Sequence, residues 1–378
     1  MENNWYCGWD VGGAHLKAAL LDAHGDVQHV VQMPCALWRG LEILEAAVDT
    51  ILQDFQRIIK NQPLMHGVTM TGELVDLFES RQQGVQEISR TMREKLGERI
   101  IFFCANHEKI YEFVDFYGVN QHWQQVASAN WLASASLVAK QIPTSILIDM
   151  GSTTTDFVLL HQNKPHYLGF SDAARMASKE LVYTGVVRTP LMAISREVIF
   201  QGKPTGVAAE YFATTADVYR LLGELPTDED MAETADGKDK STVATARRIA
   251  RMIGCDIEDA TLEDWQELAR NFKQKQLAML QGAALQHITR LKKLAPDLEN
   301  VNIIGAGAGQ FLLEALVETL NQQQTTMTEK IRFQYIACDS IVLPSMVAEN
   351  SQQNSPADWA AICLPAVAVA KLAFDQFQ

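Results

Sequence analysis

The sequence predicts a two-domain α/β protein with an interdomain cleft, and three observations lead to this fold class. The chain has 378 residues, of which 47% are hydrophobic, and this is more than one ordinary core accommodates. Short apolar runs bounded by turn residues alternate with longer stretches of helical periodicity. A hairpin pattern near the start of the chain is repeated after Pro143.

The first domain is predicted to open with an antiparallel meander and to continue with alternating helices and strands. The stretch 41–59 is the clearest helix, because its apolar residues return with helical spacing. The predicted strands are 5–9, 16–21, 27–33, 67–70 and 100–104, and the predicted helices are 41–59, 86–96 and 127–140.

The second domain begins again with two strands. The stretch 225–240 is rich in Asp, Glu, Gly and Lys and is predicted to be an exposed loop. We place the first domain at residues 1–140, completed by the C-terminal helix 356–378, and the second at residues 141–355. The predicted strands are 145–150, 155–160, 300–304 and 331–338, and the predicted helices are 206–222, 242–253, 264–294, 311–320 and 358–374.

The two predicted hairpins share one pattern. In each, a hydrophobic strand ends in an aspartate, Asp10 or Asp149, with a glycine two residues later. A charged residue follows at the same offset from the aspartate, Lys17 in the first hairpin and Asp156 in the second. Two duplicated domains, each offering a strand–turn–strand hairpin to one cleft, would produce this repetition.

The charge balance argues against two classes of partner. The net charge is -14 and the sequence pI is about 5.1, which disfavours binding to nucleic acid or anionic membranes, because both attract positive surfaces. The apolar stretch 364–374 is too short for a membrane span, which needs about 20 residues. No signal peptide is visible, so we expect a cytoplasmic protein. Without a Cys-x-x-Cys pair, we expect reduced, buried thiols at Cys7, Cys35, Cys104, Cys255, Cys338 and Cys363.

Both hairpin turns have the composition of a phosphate site. A turn without bulky side chains lets successive backbone N–H groups converge on one anion, and hydroxyl groups add donors. An aspartate beside a phosphate repels it unless a cation lies between them. We therefore predict that Asp10 and Asp149 hold Mg²⁺ and that Lys17 adds positive charge. The predicted phosphate-binding residues of the two turns are Gly12, Gly13, Gly151, Ser152, Thr153 and Thr154.

A third turn lies between a predicted strand and a predicted helix, where Gly305, Gly307 and Gly309 allow close approach of the backbone to a ligand. Each motif alone is weak. In this order and at these separations, however, the three turns resemble the phosphate-1, phosphate-2 and adenosine loops of the actin/sugar-kinase/heat-shock-ATPase superfamily, whose domains are ribonuclease H-like. A Rossmann site fits poorly, because the acid after the next strand, Asp339, lies too far beyond the glycines.

A narrower resemblance extends over nearly the whole chain. Its most distinctive part is Tyr-Thr-Gly-Val-Val-Arg-Thr-Pro at 183–190. The other stretches that carry it are 8–17, 69–74, 129–131, 148–156, 180–182, 212–214, 234–238 and 305–307. Together they resemble the hydantoinase/oxoprolinase-related proteins of the tetrahydromethanopterin-linked C1 transfer pathway.

This resemblance implies a transferase of methanofuran or methylofuran biosynthesis. Archaeal members are understood to join an (aminomethyl)furanmethanol diphosphate to the phenol of a γ-glutamyltyramine unit and to release diphosphate. The implied ligands are a small-molecule diphosphate, a phenolic acceptor of the tyramine or tyrosine type, and Mg²⁺. A phenol has a pKa of about 10, so a base or a late proton transfer is needed. His15, Glu73 and Asp156 are candidates for that base.

Other polar residues of these stretches are candidates for substrate binding. Arg175 and Arg188 could bind a carboxylate or a phosphate, although an arginine more often forms an ordinary ion pair. Asn130 fits packing and a buried hydrogen bond better than a substrate contact. Asp236 and Lys238 lie in a charged loop that is either a mobile lid or solvated surface.

Two other functions remain open at this point. An ATP-dependent enzyme, either a hydantoinase/oxoprolinase-like hydrolase or a small-molecule kinase, would use the same three turns with ATP as cofactor. A nucleotide-binding switch of the actin kind is disfavoured, because no large self-association surface is visible; the oligomeric state is not indicated. A flat, apolar pocket beyond Gly305–Gly309 would favour ATP, whereas side chains such as Phe311 in that place would favour a smaller diphosphate.

Overall fold

The computed structural model describes residues 4–60, 62–226, 229–324, 331–343 and 356–377. The chain divides into two compact units. Both combine sheet and helices, so the predicted two-domain α/β architecture is confirmed. Unit 1 comprises Met1–Ser145, Leu160–His166 and Ala337–Gln378, and unit 2 comprises Ile146–Leu159 and Tyr167–Ile336.

Strands and helices alternate along much of the chain. The strands are β1 (Trp5–Val11), β2 (His15–Leu21), β3 (Val27–Pro34), β4 (Leu64–Met70), β5 (Ile100–Asn106), β6 (Ile110–Val114), β7 (Ser145–Met150), β8 (Thr155–His161), β9 (Lys164–His166), β10 (Leu181–Val182), β11 (Glu197–Phe200), β12 (Lys203–Gly206), β13 (Asn300–Ala306) and β14 (Arg332–Ala337). The helices are α1 (Leu41–Ile59), α2 (Arg81–Leu96), α3 (Phe116–Val119), α4 (Trp123–Val126), α5 (Asn130–Gln141), α6 (Asp172–Ala177), α7 (Leu191–Ile194), α8 (Thr215–Leu222), α9 (Thr242–Arg251), α10 (Leu262–Leu294), α11 (Gln310–Gln324), α12 (Asp339–Val342), α13 (Pro356–Ile362) and α14 (Leu364–Gln376).

Unit 1 is built on a six-stranded sheet with the order β3-β2-β1-β4-β5-β6. The strand β1 is antiparallel to β2 and parallel to β4, so that Asp10 lies opposite both Lys17 and Thr69. The predicted opening meander is therefore confirmed. The prediction missed β6, whose residues are all only partly buried and so lack a clear alternation of apolar and polar positions.

The helix α1 shows how the sequence determines the packing of unit 1. Leu44, Val48, Ile51 and Phe55 recur with helical spacing and are buried. They belong to the same core as Trp9 of the sheet. The predicted helix at 41–59 is confirmed. Burial of its apolar face supplies most of the stability of such a helix.

The last helix completes unit 1. The helix α14 is buried along most of its length and packs on β1, β2, β4 and α5. Gly8 of β1 permits this approach, because a Cβ there would overlap the carbonyl oxygen of Ala366 and would lie 2.6 Å from the backbone nitrogen of Ala370. Strand and helix backbones are thus in direct contact.

The sheet of unit 2 has the order β10-β8-β7-β13-β14. The strand β7 is parallel to β13, with Asp149 opposite Ala306. In both units, the strand that carries the aspartate lies between its hairpin partner and a parallel strand that comes later in the chain. The duplication that the two hairpins predicted is therefore present in the strand order of the two sheets.

The longest helix lies in unit 2. The helix α10 has 33 residues and begins at a capping box formed by Thr261 and Asp264. Its buried face includes Trp265, Leu268 and Phe272, which belong to the core of unit 2. The predicted helix at 264–294 is confirmed, with two further residues at its start.

The predicted helix at 206–222 is wrong in its first part. The helix begins at Thr215, and residues up to Gly206 belong to a small antiparallel pair of strands. Thr214 and Asp217 form a capping box, in which each side chain satisfies a backbone amide group of the first turn.

The prediction of a single closing helix at 358–374 is also wrong. The helix α13 ends at Ile362 and α14 begins at Leu364, with Cys363 as its N-cap. Pro365 lies in the first turn of α14. Proline has no amide hydrogen, so it fits the start of a new helix and not the interior of a continuous one.

The cysteines are free thiols, and five of the six are buried. Burial raises the pKa of Cys35 to about 11 and that of Cys104 to about 12. Both thiols therefore stay protonated at neutral pH and pack as small apolar side chains. Among the described residues, no helix combines the length and the apolar character that crossing a membrane requires.

A buried histidine of β4 is fixed in its neutral form. Nε1 of Trp9 donates to Nδ1 of His66 across 3.1 Å. An indole nitrogen can only donate, so Nδ1 of His66 carries no proton. Burial lowers the pKa of His66 to about 3, because the charged imidazolium would lose its hydration.

We expect His66 to make the protein less stable in acid. The ordinary histidine pKa is 6.5 and that of folded His66 is about 3, so between these values the unfolded state binds the additional proton and stability falls as the pH falls. At pH 5 the loss amounts to about 2 kcal/mol. Urea unfolding at pH 7 and pH 5 measures it. The control His66→Phe should lose less between the two pH values, and an equal loss in both proteins would contradict this role.

Candidate functional site

The two hairpin turns are closed by the same hydrogen bond. In the unit 1 turn (residues 12–15), the amide of Gly12 donates to the carbonyl oxygen of His15 across 3.0 Å. In the unit 2 turn (residues 151–154), the amide of Gly151 donates to the carbonyl oxygen of Thr154 across 2.9 Å. The repetition in the sequence is thus a repetition of geometry. Each unit has a compact turn of the kind that can bind an anion directly after its central strand.

Two loops meet at the C-terminal ends of neighbouring strands in the unit 2 sheet. Because β7 and β13 are parallel with Asp149 opposite Ala306, the loops that follow these strands lie side by side. The amide of Gly309 donates to the carbonyl oxygen of Met150 across 2.7 Å. Gly307 has φ 83°, and a Cβ there would lie 2.5 Å from Oδ1 of Asp149. Glycine is therefore required for the backbone to approach the Asp149 carboxylate this closely.

The unit 2 turn is backed by residues 183–190, which we call the support loop. The amide of Val186 donates to the carbonyl oxygen of Gly151 across 3.1 Å, and the amide of Arg188 donates to that of Ser152 across 2.9 Å. The support loop is also the most distinctive part of the resemblance found in the sequence. Its amide groups occupy carbonyl oxygens of the turn, which would otherwise repel a bound anion.

The turn also holds an unused hydroxyl group. Oγ of Ser152 is buried and has no hydrogen-bond partner among the described residues. A buried hydroxyl without a partner costs free energy, and an oxygen-rich ligand would recover it. Thr153 and Thr154 are partly exposed and add two more hydroxyl groups. The unit 2 turn therefore offers donors suited to a phosphate group.

The residues at the unit 2 turn fit a Mg²⁺ ion that is bound mainly by phosphate oxygens and water and only in part by the protein. Asp149 is a partly buried carboxylate at the end of β7. Within the ranges that the structure describes, no three His, Cys, Asp or Glu side chains are grouped to hold a metal ion. Mg²⁺ needs no such group, because it usually binds one or two carboxylates together with waters and phosphate oxygens. The Mg²⁺ roles of Asp10 and Asp149 stay predictions.

Gln276 of α10 fixes the support loop. Its Nε2 donates to Oγ1 of Thr184 (2.8 Å) and to the carbonyl oxygen of Gly185 (2.9 Å), and its Oε1 accepts from the Tyr219 hydroxyl (2.5 Å). Oγ1 of Thr215 donates to the same Gly185 carbonyl across 2.9 Å. The sequence analysis missed Gln276, because one glutamine within a long helix belongs to no motif.

Asp156 forms an ion pair inside unit 2. Nη1 of the buried Arg175 donates to Oδ1 of Asp156 across 2.8 Å, and Nη2 donates to the carbonyl oxygen of Glu180 across 3.1 Å. Burial raises the pKa of the Asp156 carboxyl, and the positive charge of Arg175 opposes the rise. Arg175 was predicted either to bind a substrate or to form an ordinary ion pair, and the structure shows the ion pair.

A second buried carboxylate holds the chain around this ion pair. The Glu180 side chain accepts from the amides of Leu168 and Gly169, from the hydroxyl of Ser178 and from Nη1 of Arg290 (2.8 Å). Both of its oxygens are engaged, as buried carboxylates require. Glu180 therefore fixes the backbone whose carbonyl group binds Arg175.

The surroundings of the unit 1 turn are also polar. Asp10 is only 5% exposed, and Thr69 opposite it is fully buried, with no hydrogen-bond partner for its Oγ1 among the described residues. Nζ of Lys17 donates to the carbonyl oxygen of Ile362 across 2.9 Å, at the end of α13. His15 begins β2 and is partly buried. The phosphate contacts of Gly12, Gly13 and Lys17 stay predictions.

Glu73 is completely enclosed in unit 1. Its Oε1 accepts from the hydroxyl of Ser128 (2.6 Å) and from Nη2 of Arg81 (3.2 Å), whereas its buried Oε2 has no partner among the described residues. Burial raises the pKa of Glu73, and these two donors offset part of the rise. Oδ1 of Asn130 accepts from the amide of Trp131 across 2.7 Å, so the structure shows a local hydrogen bond there. Sequence reasoning missed Arg81 and Ser128, which lie far from Glu73 along the chain or outside a motif.

The predicted charged loop is tied to the body of unit 2. Arg248 is fully buried, and it donates to Oδ1 of Asp236 across 3.0 Å and to Oδ1 of Asp217 across 2.8 Å. The amide of Lys238 also donates to Asp236, while the Lys238 side chain is exposed. The loop is therefore anchored at Asp236. The substrate roles of Asp236 and Lys238 stay predictions.

Comparison with protein families identifies the relatives of this chain. The sequence model of the hydantoinase/oxoprolinase family matches residues 65–335. The chain belongs to the hydantoinase/oxoprolinase family. The matched residues contain Glu73, the unit 2 turn, the support loop and the Gly305–Gly309 loop. The resemblance predicted from the sequence is thereby confirmed at the level of the family.

Two synthases are similar over most of their own length. The one from Methanocaldococcus jannaschii is 28% identical over 312 residues, which is 82% of this chain and 88% of that protein. The one from Methanococcus vannielii is 26% identical over 212 residues, which is 56% of this chain and 92% of that protein. Both are named synthases of a (furan-2-yl)methanamine that carries a γ-L-glutamylaminoethyl-phenoxymethyl group. Both relatives are named as enzymes, and this chain is an enzyme as well.

Solved structures with a similar arrangement have low sequence identity. A ROK family glucokinase from Streptomyces griseus, with glucose and AMPPNP, is 13% identical with a TM-score of 0.46, and the match covers 97% of this chain and 98% of that one. Nucleotide-free acetone carboxylase is 10% identical with a TM-score of 0.47 and covers 84% of this chain and 68% of that one. The fold assignment therefore relies on the strand order of the two sheets.

We expect Gly307→Ala to impair ligand binding at the unit 2 turn. A Cβ at this position would displace the Asp149 carboxylate, so the affinity for Mg²⁺-diphosphate, measured by calorimetry, should fall roughly tenfold or more. Gly254→Ala is the matched control, because Gly254 has φ 72° but no atom within 4 Å of the added Cβ. Equal affinities of the two variants would contradict the importance of this close approach.

Proposed function

We propose that this protein is a Mg²⁺-dependent transferase that joins a furfuryl diphosphate to a phenol and releases diphosphate. The donor in this proposal is an (aminomethyl)furanmethanol diphosphate. The acceptor is the phenol of a γ-glutamyltyramine unit, or of a related tyrosine-type compound. The product is an aryl furfuryl ether of the methanofuran or methylofuran type.

The observation that carries the proposal is the match to the Methanocaldococcus jannaschii synthase over 88% of its length. The name of that protein's product contains a phenoxymethyl group on a furan ring, which is an ether between a phenol oxygen and a furfuryl carbon. Forming this bond requires a leaving group on the furfuryl carbon. The glycine-rich turns and the unused Ser152 hydroxyl support a phosphate ester as that leaving group.

In the proposed reaction, the bond between the furfuryl carbon and the diphosphate oxygen breaks, and its electron pair leaves with diphosphate. The phenol oxygen bonds to the same carbon and gives up its proton. The furan ring stabilises positive charge on that carbon, so the protein mainly binds the leaving group, orients the two reactants and excludes water. The donors of the unit 2 turn would hold the diphosphate. Asp149 would hold Mg²⁺, which would supply positive charge against the leaving group. Asp10 is the equivalent residue of unit 1.

Of the two carboxylates among the candidate bases, Asp156 is better placed than Glu73 to accept the phenol proton. Its side chain is 19% exposed, whereas that of Glu73 is 0% exposed. Asp156 also lies on β8, directly after the unit 2 turn. Burial raises its pKa, which makes the carboxylate a stronger base than an ordinary aspartate.

The choice between a small diphosphate and ATP stays a prediction. Phe311 follows the Gly305–Gly309 loop and packs edge-on against the buried Tyr219 of the unit 2 core, with ring centroids 5.2 Å apart and an interplanar angle of 79°. The family name favours the alternative, an ATP-dependent hydrolase of the hydantoinase/oxoprolinase kind.

We expect turnover without ATP. Purified protein is supplied with Mg²⁺, the furfuryl diphosphate and γ-glutamyltyramine, and diphosphate and the ether product are measured together. They should form in equal amounts, and removal of Mg²⁺ with a chelator should stop the reaction. Strict dependence on ATP, with ADP and phosphate formed in step with product, would overturn the proposal and favour the hydrolase.

The same assay tests the two aspartates. Asp10→Asn and Asp149→Asn should each lower kcat by roughly 100-fold, which corresponds to about 3 kcal/mol of barrier, and should leave the circular dichroism spectrum unchanged. Asp54→Asn is the control, because Asp54 is a surface residue of α1 in an exposed ion pair. Unchanged turnover in both site variants, with Mg²⁺ still required, would remove the metal assignment.

A further inference from the structure

The support loop carries two exposed side chains. Tyr183 at its start is 56% exposed, and Arg188 near its end is also exposed. The residues between them, from Thr184 to Val187, are buried. A large aromatic ring and a charged guanidinium group thus project from a segment whose backbone is fixed.

Backbone hydrogen bonds fix both side chains relative to the unit 2 turn. At one end, β10 pairs with β8 so that Val182 lies opposite Thr155, and Oγ1 of Thr155 donates to the carbonyl oxygen of Thr184 across 2.6 Å. At the other end, the amide of Arg188 donates to the carbonyl oxygen of Ser152 across 2.9 Å. The loop therefore runs alongside the turn, with Tyr183 near one end of it and Arg188 near the other.

Charged groups of both signs lie near Tyr183. Burial of part of the phenol raises the pKa of Tyr183, as do the negative charges of Asp172 and Asp156, whereas the positive charge of Arg188 lowers it. The guanidinium group is therefore close enough to Tyr183 to act on its charge. Asp156 is paired with Arg175, so one of the two nearby carboxylates is already compensated.

We propose that Tyr183 and Arg188 form the subsite for the phenolic acceptor, with the Tyr183 ring against the acceptor ring and Arg188 paired with a carboxylate of its γ-glutamyl group. This inference rests on the proposed function and specifies the acceptor side of the same site. The acceptor has two recognisable parts, an aromatic ring and the α-carboxylate of its glutamyl group. Aromatic rings stack on exposed aromatic side chains, and guanidinium groups pair with carboxylates in a planar, two-pronged geometry.

The γ-glutamyl group leaves one carboxylate and one ammonium group on the acceptor at neutral pH. A guanidinium group beside the unit 2 turn suits the carboxylate, because it can pair with both carboxylate oxygens at once. The carboxylate would then hold the phenol end of the acceptor near the furfuryl carbon.

The test compares an acceptor that has the carboxylate with one that lacks it. Calorimetry measures the Kd of γ-glutamyltyramine and of tyramine for the wild-type protein, Arg188→Met and Arg188→Lys. Losing a charge-assisted hydrogen bond costs about 1.5–3 kcal/mol, so Arg188→Met should weaken γ-glutamyltyramine binding roughly 10- to 100-fold. Tyramine binding should change little, and Arg188→Lys should retain part of the affinity.

Three further measurements make the result specific. Arg196→Met is the matched control, because Arg196 is an exposed arginine of unit 2 outside the support loop, and it should bind both acceptors like the wild type. Tyr183→Ala should weaken both acceptors, whereas Tyr183→Phe should weaken neither, because the ring makes the contact. The KM for the furfuryl diphosphate should stay unchanged in Arg188→Met.

Each contrary result has a distinct meaning. If Arg188→Met weakens both acceptors equally, or weakens neither, Arg188 does not bind the carboxylate and the subsite is wrong. If it raises the KM for the furfuryl diphosphate instead, Arg188 binds phosphate and the subsite is also wrong. If the wild-type protein binds neither acceptor and forms no ether, the proposed function fails together with the subsite.

Discussion

One backbone hydrogen bond joins the two strand ends on which the candidate site of unit 2 depends. The Gly309 amide binds the Met150 carbonyl oxygen across 2.7 Å, which extends the contact between β7 and β13 beyond the last paired residues of the sheet. Gly307 is thereby brought against the Asp149 carboxylate. A side chain at position 307 would separate the two loops, and the carboxylate would then face an open edge of the sheet in place of an ordered backbone.

Around this contact, long-range polar anchors hold the loops where apolar packing cannot. Gln276 binds the support loop, Glu180 binds the chain on both sides of Arg175, and Arg248 binds the loop that contains Asp236. Each of these side chains is buried, and a buried polar group is stable only when its hydrogen bonds are satisfied. A loop that moved away would leave its anchor unsatisfied at a cost of about 1–3 kcal/mol per group. The loops near the turn are therefore held more firmly than their lack of regular structure suggests.

The sequence predicted what depends on neighbouring residues and missed what depends on distant ones. The aspartates, the glycine turns and their duplication are local patterns, and the structure shows the same closing hydrogen bond at Gly12 and Gly151. Ser128, which binds Glu73, and the anchor Gln276 come from remote parts of the chain and follow no spacing rule. The start of α8 was predictable, because Thr214 and Asp217 have the spacing of a capping box. The predicted helix at 206–222 began too early because it did not use this capping box.

The charged residues at the equivalent positions of the two hairpins have different hydrogen-bond partners. In unit 1 the ammonium group of Lys17 binds the carbonyl oxygen of Ile362, and in unit 2 the carboxylate of Asp156 binds Arg175. Neither bond involves the other copy of the hairpin. After the duplication, each copy could therefore acquire its own charge and its own partner without a compensating change in the other. A gene duplication of this kind yields two halves that keep one backbone geometry while they evolve different side-chain chemistry.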